Sequence, residues 1–194
     1  FNQEGGESLL YVGRMVKRKG PDSAIKIANA SLKPLKLIGD IRPSKINQDY
    51  WQEIEKTINN SANSEYLGFK PHKQMSFFYQ QSKILLFPIR EPESFGLTLI
   101  EAMACGTPVV AFDQGPVKEI VQDGITGFVC PADDIEGMVK AVKKIYEMPD
   151  NEYQKMRQNC RKHVEENFTV EKMMDGYEKV YQKVIEDWKK RKRT

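Results

Sequence analysis

The chain has 194 residues, 40% of them hydrophobic, and a net charge of +3. That length suits one substantial domain with its own core, and no apolar run approaches the ~20 residues that span a bilayer. The positive balance is local. Lys189, Lys190, Arg191, Lys192 and Arg193 crowd the C-terminus, and without them the rest is net acidic, which excludes a basic nucleic-acid-binding body.

The opening segment, Phe1-Asn2-Gln3-Glu4-Gly5-Gly6-Glu7, lacks a basic-then-apolar secretion signal and reads as a junction between domains. Ser8-Leu9-Leu10-Tyr11-Val12 is a strand closed by Gly13, and a helix follows over about 21–30 with Pro21 in its first turn. Leu35-Lys36-Leu37-Ile38 is the next strand, closed by Gly39-Asp40. A polar helix around 44–59 leads to Glu65-Tyr66-Leu67-Gly68, and a helix over about 72–81 leads to the buried strand Ile84–Pro88. A helix at 95–104, a central strand at Pro108–Phe112 and a short strand at Gly127–Cys130 complete the alternation. Strands this apolar, separated by helices, predict an α/β fold: a Rossmann-like parallel sheet of about six strands with helices on both faces.

Beyond Asp133 the pattern turns wholly helical. Ile135, Met138, Val139, Val142 and Ile145 share one stripe, a second helix covers about 151–166, and a third covers about 170–188. In the third, Met173, Tyr177, Val180, Tyr181 and Val184 recur at helical spacing. Residues 189–194 form a basic tail. It reads as a solvated helix end supported by the helix dipole, with peripheral contact to anionic lipid as the alternative. Cys105, Cys130 and Cys160 are odd in number and lack C-x-x-C spacing, which suits reduced thiols in a cytoplasmic protein. With His72 and His163 far apart in sequence, no metal site is expected.

Open parallel sheets bind ligands beyond the carboxyl ends of their strands, and three clusters sit there. The first is Gly13-Arg14-Met15-Val16-Lys17-Arg18-Lys19-Gly20. Arg14 offers phosphate a bidentate fork and Lys19 a point charge, while the alternative is a solvated basic loop. Neither a P-loop nor a G-x-G-x-x-G fingerprint occurs. The second runs from Glu91 to Pro108. Ser94 is placed to cap the following helix, so that the amides of Phe95, Gly96 and Leu97 point outward as an anion site. Glu101 is the only charged residue from Ser94 to Phe112. On a helix starting at Ser94 it lies on the same face, roughly 10 Å along. A nucleoside diphosphate with its ribose satisfies both ends, and a structural carboxylate is the alternative. The third cluster, Asp113 to Val121, reads as a short helix capped by Asp113.

The second cluster resembles the E-x7-E signature of retaining glycosyltransferases of the group 1 type, family 4, with the GT-B fold; Glu93 and Glu101 are its two acids. The early Gly-Arg…Lys-Gly clamp, Gly-Thr-Pro-Val-Val, Lys-Glu-Ile-Val and Asp-Gly-Ile-Thr-Gly-Phe-Val match in order over about residues 8–185. The resemblance implies that Gly13, Arg14 and Lys19 hold the diphosphate of a UDP- or GDP-linked sugar, with Ser94, Phe95, Gly96 and Leu97 beside it. It implies that Glu93 holds hydroxyls of the transferred sugar, Glu101 the ribose, and that Ile38-Gly39-Asp40 and Gly68-Phe69-Lys70 line the base site. Glu93, Arg14 and Lys19 are thus the expected catalytic set, with no metal or other cofactor. It further implies that residues 1–194 are the C-terminal, donor-binding half. The acceptor site would then lie in an N-terminal domain, and helix 170–188 would cross back to it. A non-catalytic nucleotide-binding module, and another GT-B enzyme such as an epimerase or phosphorylase, stay open as readings.

Overall fold

The computed structural model describes residues 1–41 and 44–191. Lys192, Arg193 and Thr194 of the basic tail lie outside the described residues. Six strands, β1 (Ser8–Val12), β2 (Leu35–Ile38), β3 (Ser64–Tyr66), β4 (Ser82–Phe87), β5 (Val109–Phe112) and β6 (Gly127–Cys130), form one sheet in the order β3-β2-β1-β4-β5-β6. Every pairing is parallel. The chain starts in the middle, builds outward to β3, then returns to β1 and builds the other way. The crevice between the carboxyl ends of β1 and β4 is therefore the topological switch point.

The strands are apolar on both faces because both are covered. Leu9, Tyr11, Leu37, Leu86 and Phe112 pack with α1 (Pro21–Ser31), α2 (Lys45–Asn59) and α6 (Ile135–Tyr146). Leu10, Leu85, Phe87, Val109 and Ala111 pack with α3 (His72–Gln80), α4 (Leu97–Ala104) and the far half of α7 (Asp150–Asn167). Ser44 caps α2 by accepting from the Asn47 amide at 3.2 Å, and Asp134 caps α6 from the Gly137 amide at 2.8 Å.

Two expected caps are different. The helix expected at 95–104 begins at Leu97, and its N-cap is Gly96 in the left-handed region at φ 84°. Ser94 lies two residues too early to reach the first-turn amides. Gly96 is thus outside the helix, where its freedom is used rather than penalised. Likewise α5 (Val117–Ile120) follows Pro116 without a side-chain cap. Asp113 instead pairs with Lys118 at 2.5 Å.

Arg157 of α7 is the largest fully buried side chain. Its guanidinium donates to the carbonyls of Asn2 (2.8 Å) and Ser82 (3.0 Å) and to the Tyr153 hydroxyl (2.8 Å). It ties residues 1–7 to the base of β4. By contrast α8 (Val170–Arg191) buries none of its residues, and the stripe from Met173 to Val184 is more than half exposed at every member. Among the described residues no helix is long and apolar enough to cross a membrane.

Removing the Arg157 guanidinium strands buried carbonyl acceptors, so Arg157→Met should lower stability by about 2–4 kcal/mol. Urea unfolding measures this, and an unshifted midpoint would show that the carbonyls find other donors.

Candidate functional site

Two cavities open beyond the carboxyl ends of β1, β2 and β4. One, of about 290 Å³, is walled by Gly13, Lys19, Glu93 and the residues from Ser94 to Thr98. The other, of about 270 Å³, is walled by Gly13, Arg14, Gly39, Asp40, Phe69 and Glu101. They share Val12 and Gly13, so the end of β1 is the floor where they meet. Gly13 brings bare backbone to that floor beside Val12. A Cβ on Gly39 would lie 1.8 Å from the Gly13 carbonyl oxygen.

The loop after β1 is held at both ends. The buried Tyr11 hydroxyl shares its proton between the carbonyls of Arg14 (3.1 Å) and Lys19 (3.3 Å). Lys17–Lys19 form a 3-10 turn closed by Gly20 at φ 70°, where a Cβ would meet the Pro88 carbonyl at 2.0 Å. Beneath it, Arg90 grips Asp22 with both guanidinium nitrogens, at 2.8 and 2.5 Å, and donates to the Lys17 carbonyl at 2.8 Å. The Tyr50 hydroxyl adds a bond to Asp22 at 2.6 Å. Burial pulls the Asp22 carboxyl upward, but Arg90 and Tyr50 outweigh it and hold it below its ordinary pKa.

Lys19 forms an ion pair with Glu93. Burial, then the charges of Arg18 and Arg14, pull the Lys19 ammonium below its ordinary pKa. Glu93 is positioned from behind by Gly115, at φ 58°, where a Cβ would lie 2.8 Å from the Glu93 carbonyl. So the third cluster supports the second. Phe95 and Leu97 stay exposed at the rim. The first amides of α4 belong to Leu97 and Thr98, both in the cavity wall, rather than to Phe95 and Gly96.

Glu101 stands on the second turn of α4, four residues from Leu97 and therefore ~6 Å along the axis, closer than a Ser94 start implies. It is not an isolated carboxylate. Its Oε2 accepts from the Tyr79 hydroxyl at 2.9 Å, and its Oε1 faces His72 Nε2 at 3.2 Å. Phe69, in the wall of the same cavity, is 68% exposed. Gly68 stands behind the wall, its carbonyl accepting from the Gly39 amide at 3.2 Å.

The structure thus gathers Lys19, Glu93, Ser94, Phe95, Gly96 and Leu97 around the first cavity, and Arg14, Gly39, Phe69 and Glu101 around the second. Sequence reasoning missed Tyr11, Asp22, Arg90, Tyr79 and His72. One local signal existed: His72, Met75 and Tyr79 are three and four apart on one helix face, and all three line the second cavity. Asp22 and Arg90 are 68 residues apart, and nothing local pairs them.

The fold and trough define a Rossmann-like α/β domain with cations and carboxylates gathered at its switch point. The chain belongs to the family of glycosyl transferases group 1, which it matches over residues 1–163. It is 32% identical over 187 residues to an uncharacterised glycosyltransferase of Methanocaldococcus jannaschii, covering 95% of this chain and 50% of that one. The fold is shared with Anabaena HepE, solved in complex with UDP and glucose (TM-score 0.81, 21% identity, 93% of this chain and 49% of that chain). It is shared also with the C-terminal domain of LpcC, a glycosyl transferase group 1 family protein from Francisella tularensis (TM-score 0.74, 22% identity, 86% and 88%). These neighbours share the Rossmann-like parallel sheet with helices on both faces that was expected from the sequence. The chain spans about half the length of the curated relatives it matches.

Because Asp22 is held below its unfolded pKa, its contribution to stability is present above about pH 4 and is lost as pH falls through the folded value. Asp22→Asn should be less stable than wild type at pH 7, with the gap closing below about pH 4. Melting both proteins across pH 3–7 tests this; a gap independent of pH would mean that the Asp22 charge does not matter.

Proposed function

We propose that this domain holds a nucleoside diphosphate sugar, UDP- or GDP-linked, for transfer to an acceptor with retention of anomeric configuration. One observation carries the reading. A half-buried cation, Lys19, beside a helix start occupies one half of the trough, and a carboxylate with lone pairs to spare, Glu101, occupies the other. A diphosphate suits the first half because Lys19 and the amides at the start of α4 supply positive charge, with Arg14 at the boundary. A ribose suits the second because Glu101 accepts from hydroxyls. Phe69 offers an exposed ring face at the rim to the base. Membership of a glycosyltransferase family, and a shared fold with a protein solved with UDP and glucose, support the donor class.

In the reaction the bond from the anomeric carbon to the diphosphate breaks, and charge builds on the departing phosphate. Lys19, Arg14 and the helix amides stabilise that charge where it develops. Glu93 lies beside the same phosphate site, so it orients the sugar through its hydroxyls rather than attacking it. A diphosphate seated against Lys19 competes with Glu93 for the ammonium, and the released carboxylate is then free to accept from the sugar.

Calorimetry should find a nucleoside diphosphate bound more tightly than its monophosphate, and Arg14→Ala should cost the diphosphate about 1.5–3 kcal/mol. Equal affinities for the two nucleotides would remove the diphosphate reading. Glu93→Gln should tighten UDP severalfold, because Lys19 loses its competitor, while abolishing any extra affinity that UDP-glucose has over UDP. Weaker UDP binding by this variant would show Glu93 supporting the phosphate site instead.

The loops described hold a donor from one side. Transfer also requires an acceptor oriented for attack and water kept out. We therefore assign acceptor binding to a further domain, and residues 1–194 alone should bind donor without turning over. Steady, saturable transferase activity by these residues would overturn the assignment.

A further inference from the structure

Glu101 is built into a three-residue arrangement that the donor reading does not explain by itself. Tyr79, on α3, is 1% exposed and directs its hydroxyl at Glu101 Oε2, 2.9 Å away. Its backbone is pinned as well, because the buried Thr107 hydroxyl donates to the Tyr79 carbonyl at 2.5 Å. Burial and then the Glu101 charge raise the Tyr79 pKa far above its ordinary value, so the phenol stays protonated and remains a donor. His72 reaches the other carboxylate oxygen from the rim, with its side chain 86% exposed. Thus one partner is buried and fixed, and the other is solvent-facing and free to turn. Each carboxylate oxygen can accept more than one hydrogen bond, so both keep capacity toward the cavity that Glu101, Tyr79 and His72 all line.

We propose that Tyr79 and His72 determine ribose selectivity, Tyr79 as the residue that positions Glu101 and His72 as a rim group that closes over the ribose hydroxyls. The inference rests on the donor reading and extends it to residues outside the E-x7-E signature. A glutamate has three side-chain torsions to fix before its carboxylate can accept from two adjacent hydroxyls at once. The Tyr79 bond fixes the plane of the carboxylate before ligand arrives, so less ordering is left for binding. His72 sits on the opposite oxygen, where a second hydroxyl must approach. A nucleotide lacking both hydroxyls gains from neither residue.

The test compares UDP with 2′,3′-dideoxy-UDP, and GDP with its dideoxy form, by calorimetry on the 194-residue chain. Wild type should prefer the ribonucleotide by about tenfold or more, the loss of two hydrogen bonds to a charged group. Tyr79→Phe and His72→Ala should each cut that preference by about threefold or more, while dideoxy affinity stays within about twofold. An unchanged preference in both variants overturns the proposal, and so does an equal weakening of both nucleotides, which marks a merely structural role. If Tyr79→Phe fails to fold, His72→Ala carries the test, since its side chain is on the surface. Wild type that binds neither UDP nor GDP would defeat the donor reading itself, a result distinct from wild type that binds without selectivity loss in the variants.

Discussion

At the carboxyl end of β1 the chain must leave the sheet without placing a side chain between β1 and β2. Gly13 and Gly39 meet there backbone to backbone, too close for any Cβ on the second. That close approach keeps side chains off the Gly13 and Gly39 part of the floor of the trough. A ligand can therefore lie across the switch point, where the strand order reverses. The surrounding loops then need only supply charge. Those after β1 and β4 do so at one end, and α4 does so at the other.

Charge brought to such a place must be satisfied by the protein. Arg90 is spent on Asp22 and the Lys17 carbonyl, so it serves as the stiffener of the basic loop rather than as a ligand contact. Lys19 is given to Glu93. The difference is geometric. The Arg90 fork is bidentate and buttressed by Tyr50, whereas Lys19 and Glu93 both face the cavity. Two ion pairs of similar chemistry thus divide into one that holds the loop and one that faces the cavity.

Much of this was legible in the sequence, for a physical reason. Parallel strands covered on both faces are continuous apolar runs, so β1, β2, β4 and β5 stand out, and glycine marks where β1 and β2 end. Gly13, Arg14, Gly39 and Asp40 of the trough follow those strands directly. The helix start at 94–97 was misjudged because Ser94 satisfies the composition rule for a cap, while the geometry is set by a left-handed Gly96. Tyr79 was hidden because a tyrosine on an apolar helix face reads as core, and it is core except at its oxygen. The Asp22–Arg90 pair was hidden because only the fold brings those positions together.

The same geometry argues for a second wall. Lys19, Glu93 and Glu101 all project from the carboxyl edge of a single sheet, and nothing among the described residues covers them from above. A sugar held there by its diphosphate would keep one face open. On the donor reading proposed above, that open face would have to be both where the acceptor arrives and where water is turned away, and one sheet edge cannot do both. The long α8, with no residue buried and an apolar stripe from Met173 to Val184, is not the cover. It stands clear of the core that holds the trough. The edge itself is held in place, because Tyr11, Arg90 and Gly115 fix its loops from behind, and it stays open on the side that faces away from the sheet.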